Sequence, residues 1–223
     1  MINFKITPYK PEPHPLKGIA PDPILRNLFL CKKAGFSILV TGDAPAEARV
    51  NFIKQLASVD CIKKTLLITG ENRALKKHEL GEIFKYMPDT VIYEELYGKD
   101  IFDILTVMAM GHQLLTTIAA SNEAGALQKI IIHCSNRDKN FPAEILNDYL
   151  DLVIIFSKDR YTQRCKISSI SVPQVENKNN VAVKTIIKYD LESRDWVQKH
   201  DIASLKEKVL IRTGETLKSW ATR

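Results

Sequence analysis

Glycine is scarce in this chain, with nine among 223 residues. Loops that wrap closely around an anion lean on glycine, so few stretches qualify. Cysteine is scarcer still. Cys31, Cys61, Cys134 and Cys165 are scattered, and their spacing fits neither a disulfide framework nor a zinc site. His14, His78, His133 and His200 show no ligand spacing with them, so no metal is expected. Reduced thiols in a cytoplasm follow as the default. No apolar run is long enough to span a bilayer, and the opening MINFKITPYKPEPHPLK lacks the apolar centre of a signal peptide. Internal repeats are absent. No Ser-His-Asp or Cys-His pairing can be argued from residue order. Charge of one sign is in modest excess, at net +6. The basic places at 32–33, 63–64, 76–77 and 205–208 are short and dispersed. They permit weak attraction to nucleic acid or an anionic membrane and establish neither.

What is present belongs to a globular protein. Hydrophobic residues make up 45% and charged residues 26%, and the length suits one domain with a full core. Six prolines between residues 7 and 23 forbid regular helix and predict an extended arm over residues 1–23. A helix follows in DPILRNLFLCKKAG, with Asp22 as N-cap, proline next and Gly35 as stop. Strands are predicted at 36–41, 65–70, 90–95, 114–120 and, as a further candidate, 129–134, with helices at 46–58, 73–86, 100–110 and 122–129. Continuously apolar strands alternating with helices predict a largely parallel sheet covered on both faces. From 148 the pattern changes. Segments 148–159, 161–175 and 180–190 read as successive antiparallel strands with polar turns between them. A polar helix or two is predicted from 191 to 223.

One stretch carries a chemical question. In SILVTGDAPAEARVNFIKQL an apolar run leads into Thr41-Gly42, and an amphipathic helix follows. A phosphate loop there would read G-x-x-x-x-G-K-[ST]. Those places hold Gly42, Asp43, Ala44, Pro45, Ala46, Glu47, Ala48 and Arg49. A second glycine, the lysine and the magnesium-binding hydroxyl are all missing. Asp43 and Glu47 put carboxylates at the helix start, where they would cap it and repel phosphate. Two unit charges about 4 Å apart interact by roughly 4 kcal/mol at an effective dielectric near 20. Pro45 removes one N–H donor. In the rival reading Arg49, one residue late, takes the lysine's role, since arginine binds phosphate in a forked manner.

The order of these segments resembles the hexameric secretion-superfamily ATPases of type II secretion, type IV pili and type IV (conjugation-like) secretion. The resemblance covers roughly residues 18 to 190. Its stations are the loop at 42–49, LITGENRAL (67–75) as an acidic box, PDTVIYEELYG (88–98) as a Walker B stretch, and DILTVMAMGHQLLTTIAASNEAGAL (103–127) as a Gly-His segment followed by a histidine box. It implies a P-loop, RecA-like three-layer α/β fold over 24–190, with a mainly parallel sheet and antiparallel C-terminal strands. The departures are specific. The acidic box keeps only Glu71, with Gly70 in place of the other acid. Glu95 survives in Walker B, while Glu94 replaces glycine and Tyr97 replaces arginine. Ala119 replaces the histidine of the histidine box. The family's separate N-terminal domain is expected to be absent, with the proline arm in its place.

The resemblance therefore implies a catalytically inactive member that uses no cofactor. Gly42, Asp43, Glu47, Ala48, Arg49, Arg73, His112 and Ala119 mark its vestigial nucleotide site, and Glu95 and Glu71 are vestigial acids. For Glu95 the expectation is a charge exposed in the crevice at a strand's end. Arg73 could meet phosphate or be a solvated arginine. His112 could reach across a subunit interface or be a structural histidine at a helix end. The implied partners are an active secretion ATPase or an inner-membrane secretion component, with oligomerisation in play and a cytoplasmic or peripheral inner-membrane location. Two other classes stay open: an unusual live nucleotide hydrolase using Arg49 and Glu95, and a basic nucleic-acid-binding accessory protein.

Overall fold

The structure is a computed structural model, and it describes residues 5–9, 16, 18–59, 63–69, 77–160, 162–201, 203–218 and 220. The side chains of Lys5, Lys77 and His78 lie outside that description, as do Cys61, Glu71, Arg73 and His14. The elements run β1 (Lys5–Tyr9), α1 (Asp22–Lys33), β2 (Ile38–Thr41), α2 (Ala46–Ala57), β3 (Thr65–Thr69), α3 (Lys77–Tyr86), β4 (Thr90–Tyr93), α4 (Ile101–Ala109) and β5 (Gln113–Thr117). Then come α5 (Glu123–Arg137), α6 (Leu146–Tyr149), β6 (Leu152–Lys158), β7 (Cys165–Asn177), β8 (Asn180–Asp190), β9 (Asp195–Gln198) and α7 (Ala203–Thr213).

All nine strands form one sheet, in the order β1-β3-β4-β5-β2-β6-β7-β8-β9. The middle five are parallel, and β7, β8 and β9 continue antiparallel. This is the expected α/β class. Strands β2, β4 and β5 are buried at every residue, which explains the consecutive apolar residues at their centres, 38–40, 91–92 and 114–115. Two apolar cores lie against the sheet. One gathers α1, α2, α7 and residues such as Phe36, Phe52 and Trp220. The other gathers α4, α5 and residues such as Tyr93, Leu127 and Phe141. Among the described residues no helix is long and apolar enough to cross a membrane.

Three expectations need correction, and one gains detail: where it is described, the extended arm lies along the domain, with Lys5–Tyr9 paired antiparallel to β3, Lys5 opposite Thr69 and Tyr9 opposite Thr65, and Leu16 buried. Pro8 is tolerated because β1 is an edge strand. Asp22 is the first helical residue rather than the cap, which is Pro21, with Pro23 in the first turn. The candidate strand 129–134 is the second half of α5. Its buried residues Ala126, Leu127, Ile130, Ile131 and Cys134 recur at helical spacing, and the Asn122 side chain caps the helix by accepting from Gly125 N at 2.7 Å. Past residue 190 the sheet continues with β9, where Trp196 sits opposite Tyr189. Helix α7 is mostly exposed, as a polar helix should be, and is anchored to the first core by Leu205 and Val209, with Leu217 and Trp220 after it.

Candidate functional site

Strand β2 lies between β5 and β6, yet the chain leaves it through α2 towards β3 and returns through α5 from β5 to β6. The sheet therefore reverses its winding direction at the carboxyl ends of β2 and β5, where open parallel sheets bind ligands. Residues Thr41–Ala44, Glu94–Tyr97, Thr117–Ala120 and Phe156–Lys158 meet there.

Gly42 turns the chain out of β2 with φ +116°. A Cβ at this position would lie 2.4 Å from the Phe156 carbonyl oxygen, so only glycine fits. The turn is held on both sides. Gly42 N donates to Ala120 O at 3.0 Å and Ala44 N to Phe156 O at 3.1 Å, and the Thr41 hydroxyl donates to Ala120 O at 2.9 Å. The chain then enters α2 behind Pro45.

No side chain caps α2, which corrects the expectation that Asp43 or Glu47 would do so. Asp43 reaches sideways instead, its Oδ1 accepting from Lys158 N at 3.1 Å. Glu47 is exposed in the first turn, and Ala48 is half-buried against the core.

Arg49 is the centre of the arrangement. Along α2 it falls in the series Arg49, Phe52, Ile53, Leu56, all buried, so helical spacing points it inward. One terminal nitrogen donates to Ala44 O at 2.6 Å and Gly42 O at 3.2 Å. The other donates to Glu95 Oε1 at 2.8 Å. The pair is desolvated, with side chains only 6% and 9% exposed. Arg49 Nε is buried and, among the described residues, has no hydrogen-bond partner.

Glu95 is thus not exposed in the crevice, as the sequence suggested. Its second oxygen accepts from the Tyr97 hydroxyl at 2.7 Å. The segment carrying both is fixed in turn. Thr117 Oγ1 donates to Glu94 O at 2.7 Å, Leu96 N to Thr117 O at 2.8 Å, and Tyr97 N to Asp100 Oδ1 at 3.0 Å. Asp100 also accepts from the Tyr93 hydroxyl. Burial pushes its carboxyl up to about 6 against the pull of those hydrogen bonds. Glu94 forms a second pair, with Lys54 of α2, at 2.5 Å.

The other named positions separate. Ala119 is exposed at the crevice, and its carbonyl accepts from Lys129 Nζ. His112 lies at the amino-terminal end of β5, opposite the crevice and on the order of 20 Å along the chain from Ala119. There its Nδ1 lies 2.7 Å from Pro88 O and its ring stacks on Phe84. Tyr97, Asp100 and Lys54 were not singled out as site residues. Lys54 could have been found from its place on α2 facing the β4 carboxyl end, whereas nothing in the sequence ties Asp100 to the ring of Tyr93. Among the described residues no group of acids, histidines and cysteines could hold a metal ion.

Chemically, the loop's centre is filled from within. A guanidinium sits where two backbone carbonyls converge, and a carboxylate from the neighbouring strand end neutralises it.

No protein-family model matches the chain, and no curated protein matches its sequence. Solved structures do match in fold. The VirB11 ATPase from the Brucella suis type IV secretion system, in complex with sulphate, superposes with a TM-score of 0.54 at 14% identity, covering 64% of this chain and 50% of that one. The Yersinia pseudotuberculosis ATPase DotB superposes with a TM-score of 0.51 at 12% identity, covering 76% and 54%. The chain spans about half the length of these ATPases and shares with them a mixed α/β fold built on a mostly parallel sheet.

Proposed function

We propose that this protein is a catalytically inactive, ATPase-like component of a type IV secretion or conjugation-type machine. In this reading it works through contacts with other proteins, an active secretion ATPase or an inner-membrane component of the machine being the first candidates. It acts from the cytoplasm, free or at the membrane's inner face. A degenerate copy of a ring subunit still offers the two faces of a head-to-tail contact, so it could enter or cap a ring of active subunits.

The observation that carries the reading is the buried Arg49–Glu95 pair. A live phosphate loop turns N–H groups towards an anion. Here the carbonyls of Gly42 and Ala44 turn towards a cation that is already neutralised. The residues present do not fit a magnesium nucleotide. Asp43 and Glu47 stand exposed at the helix start, the magnesium hydroxyl is missing, and Glu95 is committed to Arg49 and Tyr97. The rival use of Arg49 as a phosphate ligand would first require breaking this pair.

Calorimetric titration with Mg-ATP tests the reading. Binding weaker than about 1 mM, or about −4 kcal/mol, is expected, with no hydrolysis above background. Glu95→Gln, whose amide oxygen can still accept from Arg49, is expected to keep function in a secretion or transfer assay. Micromolar binding, or loss of function in that variant with the fold intact, would instead favour a hydrolase centred on Arg49 and Glu95.

A further inference from the structure

A groove of about 860 Å³ opens beside the β6 carboxyl end, on the far side of that strand from the Gly42 loop. Its walls are the turn at 18–21, the β6–β7 turn with the start of β7, the end of β8 and the start of β9. We propose that it is a docking site for a protein segment bearing a large apolar side chain flanked by carboxylates. The proposal rests on the reading above only in taking a protein as the occupant.

The groove is built rather than left over. Ile167 N donates to Ile19 O at 3.0 Å, which seams the 18–21 turn to β7. Within the β6–β7 turn, Asp159 N donates to Arg164 O at 2.8 Å and Gln163 N to Asp159 O at 2.9 Å. Lys158 N is tied to Asp43. Walls held by backbone hydrogen bonds lower the ordering cost of binding.

Its lining is apolar beneath and cationic at the rim. Tyr189 meets Trp196 edge-on, with ring centroids 5.8 Å apart. Leu191, on the turn between β8 and β9, is 81% exposed, which is unusual for a leucine beside a cavity. Lys158, Arg160 and Lys166 stand against the single carboxylate of Asp159. That carboxylate already accepts from Thr162 N at 2.8 Å and pairs with Lys166 at 3.6 Å. Lys158 and Arg160 are exposed and, among the described residues, form no ion pair. The surplus positive charge therefore faces outward, available to an occupant's acids.

The same cations could be offered to a single-stranded nucleic acid, but the aromatic geometry argues otherwise. Base stacking needs an open ring face. Trp196 is 8% exposed and Tyr189 is turned edge-on against it. An apolar side chain between Ile19 and Leu191 uses this lining, while a run of phosphates would cross Asp159.

Short random peptides displayed on phage, panned against the full chain, test the proposal. The selected peptides should share acidic residues around a Leu, Phe or Trp. In fluorescence anisotropy they should bind the doubly reversed variant Arg160→Glu/Lys166→Glu about tenfold more weakly, equivalent to ~1.4 kcal/mol, and Leu191→Asp similarly. Both variants change exposed residues, so their melting temperatures should match wild type. Failure to enrich peptides, enrichment of non-acidic ones, equal binding to the variants, or displacement by an oligothymidine that binds more tightly through the same residues would each overturn it. Because no nucleotide enters the assay, tight Mg-ATP binding would sink the proposed function and leave this result standing.

Discussion

Removing one partner of the Arg49–Glu95 pair should be far more damaging than removing both. Arg49→Met deletes the donors to Gly42 O, Ala44 O and Glu95. It leaves a carboxylate, in a residue 7% exposed, with the Tyr97 hydroxyl as its remaining side-chain donor. An uncompensated buried charge of this kind costs about 3–5 kcal/mol. Glu95→Met should fall near the lower end of that range, because the guanidinium keeps its two carbonyls. The double variant replaces both ions with apolar side chains of similar length and should lie within about 2 kcal/mol of wild type. The coupling energy would then be at least about 4 kcal/mol, above the usual range of about 0.5–3 kcal/mol for contacting residues. Urea unfolding followed by far-ultraviolet circular dichroism measures all four corners, with an unchanged slope showing that the same surface is exposed. Single variants that each cost under about 1 kcal/mol, or a double variant equal to their sum, would refute the pair as the structural centre of the loop.

Two further outcomes follow from the same crevice. Gly42→Ala should cost at least about 2 kcal/mol, since φ is +116° and the new Cβ would meet the Phe156 carbonyl at 2.4 Å; a melting temperature unchanged from wild type would contradict it. Asp100 has a folded-state carboxyl raised from 3.8 to about 6, so the folded state binds more protons between those values and stability contributed by this group falls as pH rises through the window. Asp100→Asn, which keeps an acceptor for Tyr97 N, should flatten the decline between about pH 4 and 6 in denaturant titrations, and identical slopes for variant and wild type would refute the assignment.

The sheet was legible because burial leaves its mark on composition. Strands covered on both faces carry consecutive apolar residues, and 65–69 and 90–93 fall inside the predicted segments for that reason, while 113–117 starts one residue before the predicted 114–120 and stops three residues short of its end. The errors came where two periods fit one string. KIIIHC satisfies a buried strand as well as half a helix, and only the upstream Asn122 cap and the helical recurrence of buried residues decide it. DWVQ, at four residues, is too short to announce β9; Tyr189 and β8 select it. At the candidate site, sequence order located the turn but misjudged the charges. Local reasoning assigns a carboxylate beside a helix start to that helix, whereas Asp43 is taken by the backbone of β6, a strand more than a hundred residues away. The inward arginine had a visible signal, its place in the apolar series with Phe52, Ile53 and Leu56. Its partner could not be read, because nothing along the chain places Glu95 opposite α2 until β5 has been inserted between β2 and β4.

The glycine at position 42 has a physical explanation that needs no bound anion. In a phosphate loop, glycine serves the ligand by letting the backbone approach it. Here the close approach is to Phe156, whose ring also stacks on Phe52 of α2 at a centroid distance of 4.9 Å. That contact fixes the spacing of β2, β6 and α2 whatever occupies the loop. The strand-to-helix turn is therefore held by packing, provided the carbonyls that converge there find a donor. Arg49 supplies that donor from the first turns of α2, and its charge in turn requires an acid within reach, which the end of β4 provides. Packing at Phe156 and charge balance at Arg49 are thus separable constraints. Gly42→Ala probes the first, and the Arg49/Glu95 cycle probes the second. A loop that binds nucleotide would instead couple both to ligand, so the stability cost of each substitution would change with added Mg-ATP.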